Sequence, residues 1–145
     1  ILADLARAAG RERTVHMTDL TRNQSLVLGA LEKAEGPMSA YAILDELRGD
    51  GLRAPLQIYR ALEKLLEIGL AHRLESLNAF VACAHPHCHA SGLIAFAICE
   101  DCGQVDEFSD AVVRERLGAW SAENGFKAEK TTIEIRGHCA NCAAA

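Results

Sequence analysis

Residues 55–83 read "PLQIYRALEKLLEIGLAHRLESLNAFVAC", and the hydrophobic period changes part-way along them. Ile58, Leu62, Leu65 and Leu66 recur at helical spacing, from a proline that suits a first turn to Gly69, which suits a helix stop. Beyond the glycine, "LAHRLES" and "AFVAC" alternate around "LNA", the pattern of two short antiparallel strands joined by a turn. Upstream, Ser39 can cap a helix with Ala40, Ile43, Leu44 and Leu47 at i, i+3, i+4 and i+7, ended by Gly49 and Gly51. Earlier still, Asn23 is expected to cap a helix from Gln24 to about Ala34, with Leu28, Leu31 and Ala34 on one face and Gly36 and Pro37 as the stop. Three helices and a two-stranded wing make a winged helix-turn-helix over residues 1–82.

In such a unit the third helix is the candidate reader of a major groove. With Ile58 at the centre of the buried stripe, about 100° per residue puts Arg60 and Lys64 on the opposite side and Gln57 and Tyr59 at the flanks. Arginine forks onto guanine O6 and N7, and tyrosine can touch a thymine methyl or hold a phosphate. Any amphipathic helix also offers such residues to water, so the helix alone leaves DNA contact and a solvated face both open.

Charge and ligand-type residues divide the chain near residue 83. Residues 1–82 carry 10 Lys/Arg against 11 Asp/Glu, and residues 83–145 carry 5 against 9, so most of the net charge of −5 lies in the second half. A nearly neutral first half can still present a basic face to phosphate, whereas the acidic second half suits cations. All six cysteines and four of the six histidines (His85, His87, His89, His138) also fall at or after residue 83. The longest apolar runs, such as Leu93 to Cys99, are far too short to cross a bilayer, and no signal-like segment opens the chain, so a soluble cytoplasmic protein is expected. The chain begins at Ile1 and not at a methionine, so a few native residues are expected ahead of it.

The second half reads as a small α/β unit. Leu93 to Ile98 is a short apolar strand, Cys99 to Gly103 a turn, and Gln104 to Phe108 a strand again. Ser109 is expected to cap a helix with Val113, Leu117 and Trp120 on one face, stopped by Asn124 and Gly125, and "TTIEIR" alternates as a last strand. A unit of this size is hard to stabilise alone, and a partner subunit or a metal would help it. Two Cys-x-x-Cys turns, Cys99/Cys102 and Cys139/Cys142, each follow a strand and each have a glycine nearby. Two such knuckles can close a structural four-thiolate zinc site. A thiol–disulfide motif would need one pair in a βαβ setting, and structural disulfides would suit a secreted chain.

His72 on the first wing strand, Cys83 at the end of the second, the alternating His85, His87 and His89, and Glu107 form a less regular set. Each alone reads as an ordinary surface residue. Together they offer the thiolate, imidazole and carboxylate donors that suit tetrahedral Zn2+, drawn from both halves of the chain. There is no His-Glu-x-x-His helix, which argues against a catalytic zinc and for a chain that is not an enzyme. A hydrolase or deaminase with Glu107 as base, and a zinc-stapled interaction module without a sensing role, remain the alternatives from other classes.

The order "YRALEKLLEIGLAHRLES", "CEDCG", "CANC", from about Leu20 to Cys142, resembles the ferric uptake regulator family and is most similar to its zinc-sensing branch. The resemblance implies a homodimeric, zinc-responsive repressor that binds AT-rich palindromic operators of zinc-uptake genes. Its parts would be a winged-helix DNA-binding domain over 1–82, a hinge and metal-binding loop over 83–92, and an α/β dimerisation domain over 93–145. It assigns Cys99, Cys102, Cys139 and Cys142 to a structural zinc, and His72, Cys83 and Glu107 to a regulatory zinc. Tyr59 and Arg60 match the family's base-contacting pair. The family's histidine eight residues after Cys83 is replaced here by Ser91, so His89 is the expected fourth ligand, with His87 next. "LTRNQ" at 20–24 also departs from the family's Leu-Thr-Pro-Gln-Arg. Iron, manganese and peroxide sensors share this fold, but the soft thiolate of Cys83 favours zinc.

Overall fold

The computed structural model describes residues 19–84 and 92–144; His85, His87, Cys88 and His89 lie outside the described residues. Three helices come first: α1 (Arg22–Lys33), α2 (Ala40–Leu47), extended by a 3-10 turn at Arg48–Asp50, and α3 (Pro55–Ile68). A hairpin follows, β1 (Ala71–Leu74) and β2 (Ala79–Ala82), paired antiparallel with His72 opposite Val81. This is the expected winged helix-turn-helix.

Within this unit the helix stops fall where the sequence puts them, but one start does not. Thr21, not Asn23, caps α1: its hydroxyl accepts from the Gln24 N–H at 3.2 Å, and Gln24 Oε1 accepts from the Thr21 N–H at 3.0 Å. The Thr-x-x-Gln reciprocal box satisfies two backbone donors, more than a single Asn23 cap could, and Asn23 becomes a residue of the first turn. Thr21→Ala is therefore expected to cost about 1 kcal/mol in denaturant unfolding, whereas Asn23→Ala stays within about 0.5 kcal/mol. At the other end of the unit, Gly69 takes φ 79° and the Leu70 N–H reaches back to the Leu65 carbonyl at 2.9 Å, closing α3 and aiming the chain into β1.

The hairpin is buried on both faces. Ala71 and Phe80 belong to the helical core with Val27, Leu31, Ile43, Ile58, Leu62 and Leu65. Alternation then sends Leu74 and Val81 to the other side, where they pack with Ile94, Phe96 and Ile98. Those last three lie on β3 (Leu93–Cys99), the centre of a second sheet ordered β4-β3-β5. β4 (Val105–Phe108) runs antiparallel to β3, and β5 (Thr131–Gly137) runs parallel to it after a crossover through α4 (Ala111–Glu123). A short helix, α5 (Ala140–Ala143), ends the described chain. Asp110, not Ser109, caps α4, its Oδ1 accepting from the Val113 N–H at 3.0 Å. The two residues are adjacent and both suit a cap, and the carboxylate also meets the positive end of the helix.

No residue of α4 is buried. Val112 is 74% exposed and Trp120 49%, and Phe126, whose ring lies 5.9 Å from that of Trp120, is exposed too. An apolar surface of this kind is covered by something in a stable protein. No helix among the described residues is long and apolar enough to cross a membrane.

Candidate metal centres and nucleic-acid face

The two Cys-x-x-Cys knuckles lie far apart in sequence, and the parallel pairing of β3 and β5 brings them together. Cys99, the last residue of β3, is in register with Gly137, the last of β5, so both strands deliver their turns to one edge of the sheet. Gly103 takes φ 75° to close the first knuckle, its N–H donating to the Cys99 carbonyl at 3.0 Å. The second knuckle is the first turn of α5, and the Cys139 N–H donates to Cys99 Sγ at 3.3 Å. All four sulfurs lie within 4.8 Å of one another. Cys102 Sγ and Cys139 Sγ are 3.8 Å apart. A tetrahedron with Zn–S arms near 2.3 Å has edges of about 3.8 Å, so the thiols fit the ion.

Their protonation supports the same reading. Backbone N–H groups, first that of Cys102 and then that of Cys139, hold the Cys99 thiol down to about 6. Cys142 is instead pushed up to about 12, chiefly by its hydrogen bond to Cys139 and next by that to Cys99. Thiols this close share few negative charges among themselves, and a divalent cation is what lets all of them deprotonate. Outside the cluster, His138 Nδ1 pairs with Asp101 Oδ2 at 2.7 Å, tying the two knuckles at the surface.

The second cluster joins the wing to the sheet. His72, 4% exposed on β1, places its ring 5.6 Å from that of Phe96. Its Nε2 lies 3.7 Å from Glu107 Oε1 on β4, with both side chains 5% exposed. Cys83 Sγ is 3.8 Å from the same oxygen. Ligands around a tetrahedral zinc at 2.0 to 2.3 Å stand about 3.3 to 3.8 Å apart, so this set fits too. Glu107 Oε2 accepts from the Ala84 N–H at 2.9 Å, which leaves Oε1 facing His72 and Cys83. Ala84 and Phe96 give these ligands their orientation, as outer-shell groups do at metal sites. Neither was legible in the sequence, because both contacts depend on how the wing seats on the sheet. His89 and His87 lie outside the described residues, so three of the expected regulatory ligands are brought together here.

On α3, Tyr59 is 45% exposed, and Arg60 and Lys64 are exposed on the outer side, as the helical period requires. Lys64 Nζ pairs with Glu67 at 3.3 Å. Gln57 differs from expectation: its Oε1 accepts from the N–H groups of Arg53 and Ala54 at 3.0 and 3.1 Å, so its side chain caps α3. Tyr41 on α2, 63% exposed, is an aromatic that the sequence reading passed over, since a lone tyrosine on a short helix carries no spacing signal.

Comparison with known proteins agrees with this geometry. The model of the ferric uptake regulator family matches residues 17–136. The zinc uptake regulation protein of Escherichia coli is 37% identical over 124 residues, 85% of this chain and 72% of that protein. The crystal structure of holo XcZur is 41% identical with a TM-score of 0.78, covering 87% of each chain. A zinc uptake regulator complexed with zinc and DNA is 34% identical with a TM-score of 0.80, covering 99% of this chain and 93% of that one. With a family match spanning both the winged helix and most of the sheet that carries the cysteines, this chain belongs to the ferric uptake regulator family.

Proposed function

We propose that the chain is a zinc-responsive transcriptional repressor which, with zinc bound, binds palindromic operator DNA as a homodimer and represses zinc-uptake genes. One observation carries the reading: His72 comes from the wing, Cys83 from the residue that follows it and Glu107 from the second sheet, so the three ligands meet only when the wing sits on that sheet. A cation held there favours that arrangement by its difference in affinity between the two states, which couples zinc to DNA binding. The soft thiolate of Cys83 selects zinc over iron or manganese.

The remaining assignments follow the same division. Residues 1–82 are the DNA-binding domain, 83–92 the hinge and metal-binding loop, and 93–145 the dimerisation domain, whose uncovered Val112, Trp120 and Phe126 meet a second copy. Cys99, Cys102, Cys139 and Cys142 hold the structural zinc. His89, six residues beyond Cys83, is our choice for the fourth regulatory ligand, with His87 next. Arg60 and Tyr59 read bases, while Lys64 and Gln57 lie beside them. We assign the protein to the cytoplasm and give it no enzymatic role.

Elemental analysis and operator binding of wild type and Cys83→Ser test this. Wild type is expected to hold one chelator-labile and one tightly held zinc per chain, and Cys83→Ser only the tight one. Zinc is expected to strengthen wild-type DNA binding and to leave the variant unchanged. Zinc-dependent DNA binding that survives in Cys83→Ser would overturn the reading.

A further inference from the structure

Phe96, at the centre of the second sheet, is in register with Glu107 on β4 and with Glu134 on β5. In-register residues share a face, so two carboxylates flank one phenyl ring on the side that meets the wing. The first belongs to the metal cluster. The second makes a separate attachment: Glu134 Oε2 accepts from the backbone N–H of Ser76 at 3.1 Å, in the turn between β1 and β2. Glu134 Oε1 is buried and has no hydrogen-bond partner, the one side-chain atom in that state among the described residues.

That state is informative because it is unfavourable. A buried acceptor left unpaired raises the free energy of the fold, and an edge-strand glutamate has water within reach. Thr132 and Arg136, its neighbours on the same face of β5, are both exposed. Glu134 is thus turned under the wing, where it holds the turn by a backbone donor that any residue at position 76 except proline would supply.

We propose that Glu134 is a positioning residue for the regulatory metal. By fixing the wing turn to β5, it keeps His72 and Cys83 within reach of Glu107, so the affinity of that site is set partly from the far side of Phe96. The geometry explains why one attachment does not suffice. Glu107 grips the root of the hairpin at Ala84, and a hairpin held only at its root can pivot. Glu134 grips the opposite end at Ser76. β4 and β5 lie on opposite sides of β3, so the two grips stand about 10 Å apart across the sheet and together stop rotation of the wing. His72 lies between them, four residues before Ser76. The proposal rests on the reading of His72, Cys83 and Glu107 as the regulatory site, and assigns the residue that holds them in register.

The test is a competition titration of zinc against a fluorescent chelator, with no DNA present, on wild type, Glu134→Ala and Glu134→Gln. Total zinc and circular dichroism verify that each variant keeps its structural zinc and fold. Hydrogen exchange is followed in the zinc-depleted proteins at residues 75–78. Glu134→Ala is expected to weaken the labile zinc about tenfold and to speed exchange in the wing turn. Glutamine keeps an oxygen for the Ser76 N–H, so Glu134→Gln is expected to stay within about twofold of wild type in both measurements. Wild-type zinc affinity in Glu134→Ala, or an equal loss in the glutamine variant, would overturn the proposal while leaving the regulatory site intact. A wild-type protein with no labile zinc would instead remove the regulatory site itself and the proposal with it.

Discussion

Cys142→Ser is expected to lose one zinc per chain, to run as a monomer and to abolish operator binding. The reason is how little else holds the second unit together. α4 buries no residue of its own, β4 alternates between exposed and half-buried positions, and the packed apolar side chains on the wing-facing side are few. A structural zinc contributes an apparent 10–16 kcal/mol, roughly, at neutral pH, against a typical whole-domain stability of about 5–15 kcal/mol. Serine offers no thiolate, and the thiol it replaces lies within 4.8 Å of three others that would be left without a common centre. The same ion joins Cys99 at the end of β3 to Cys139 and Cys142 just beyond the end of β5, so its loss frees the end of the sheet that α5 follows. The helical core of α1 to α3 includes none of the four cysteines and is expected to persist, leaving helical circular dichroism while the oligomer is lost. Sedimentation and elemental analysis read the result, and a dimeric variant with full zinc content would contradict it.

What the sequence disclosed depends on the range of the interaction concerned. Gly69 and Ser39 act within a few residues, and α3 and α2 stop and start where they stand. Local signals failed where two suitable residues compete: Thr21 prevails over Asn23 because Gln24 completes a reciprocal pair, and Asp110 over Ser109 by one position. The four-cysteine cluster was legible because its spacing is short within each knuckle, although only the parallel register of β5 on β3 explains how the knuckles meet. The wing is the opposite case. Its alternation shows two faces, but nothing in "AHRL" or "AFVA" says that the face bearing His72 and Leu74 lies on a second sheet. Glu107 and Glu134 were invisible as a pair for the same reason: they are 27 positions apart and flank Phe96 through two different kinds of strand pairing.

Arg60→Ala is expected to reduce specific operator affinity by about 30-fold to 25,000-fold while leaving both zinc sites filled. One bidentate arginine–guanine contact discriminates by about 1–3 kcal/mol, and a homodimer on a palindrome makes it twice, for about 2–6 kcal/mol. Arg60 is exposed on the outer side of α3, and no ion pair within 4 Å holds its side chain among the described residues, so it is free to fork onto a base. Lys64 differs because Glu67 already accompanies it at 3.3 Å, and Lys64→Ala is expected to change affinity far less and equally on specific and random DNA. Arg60→Lys separates charge from geometry: the ammonium can still meet phosphate but cannot fork, so specificity should fall nearly as far as in the alanine variant. Titrating operator and random duplex at several salt concentrations distinguishes these cases, since removing a cation that neutralises a phosphate lowers the salt slope by about one. If Arg60→Ala weakened both duplexes equally with a shallower slope, the residue would bind phosphate, and base reading would pass to Tyr59 and its neighbours on α3.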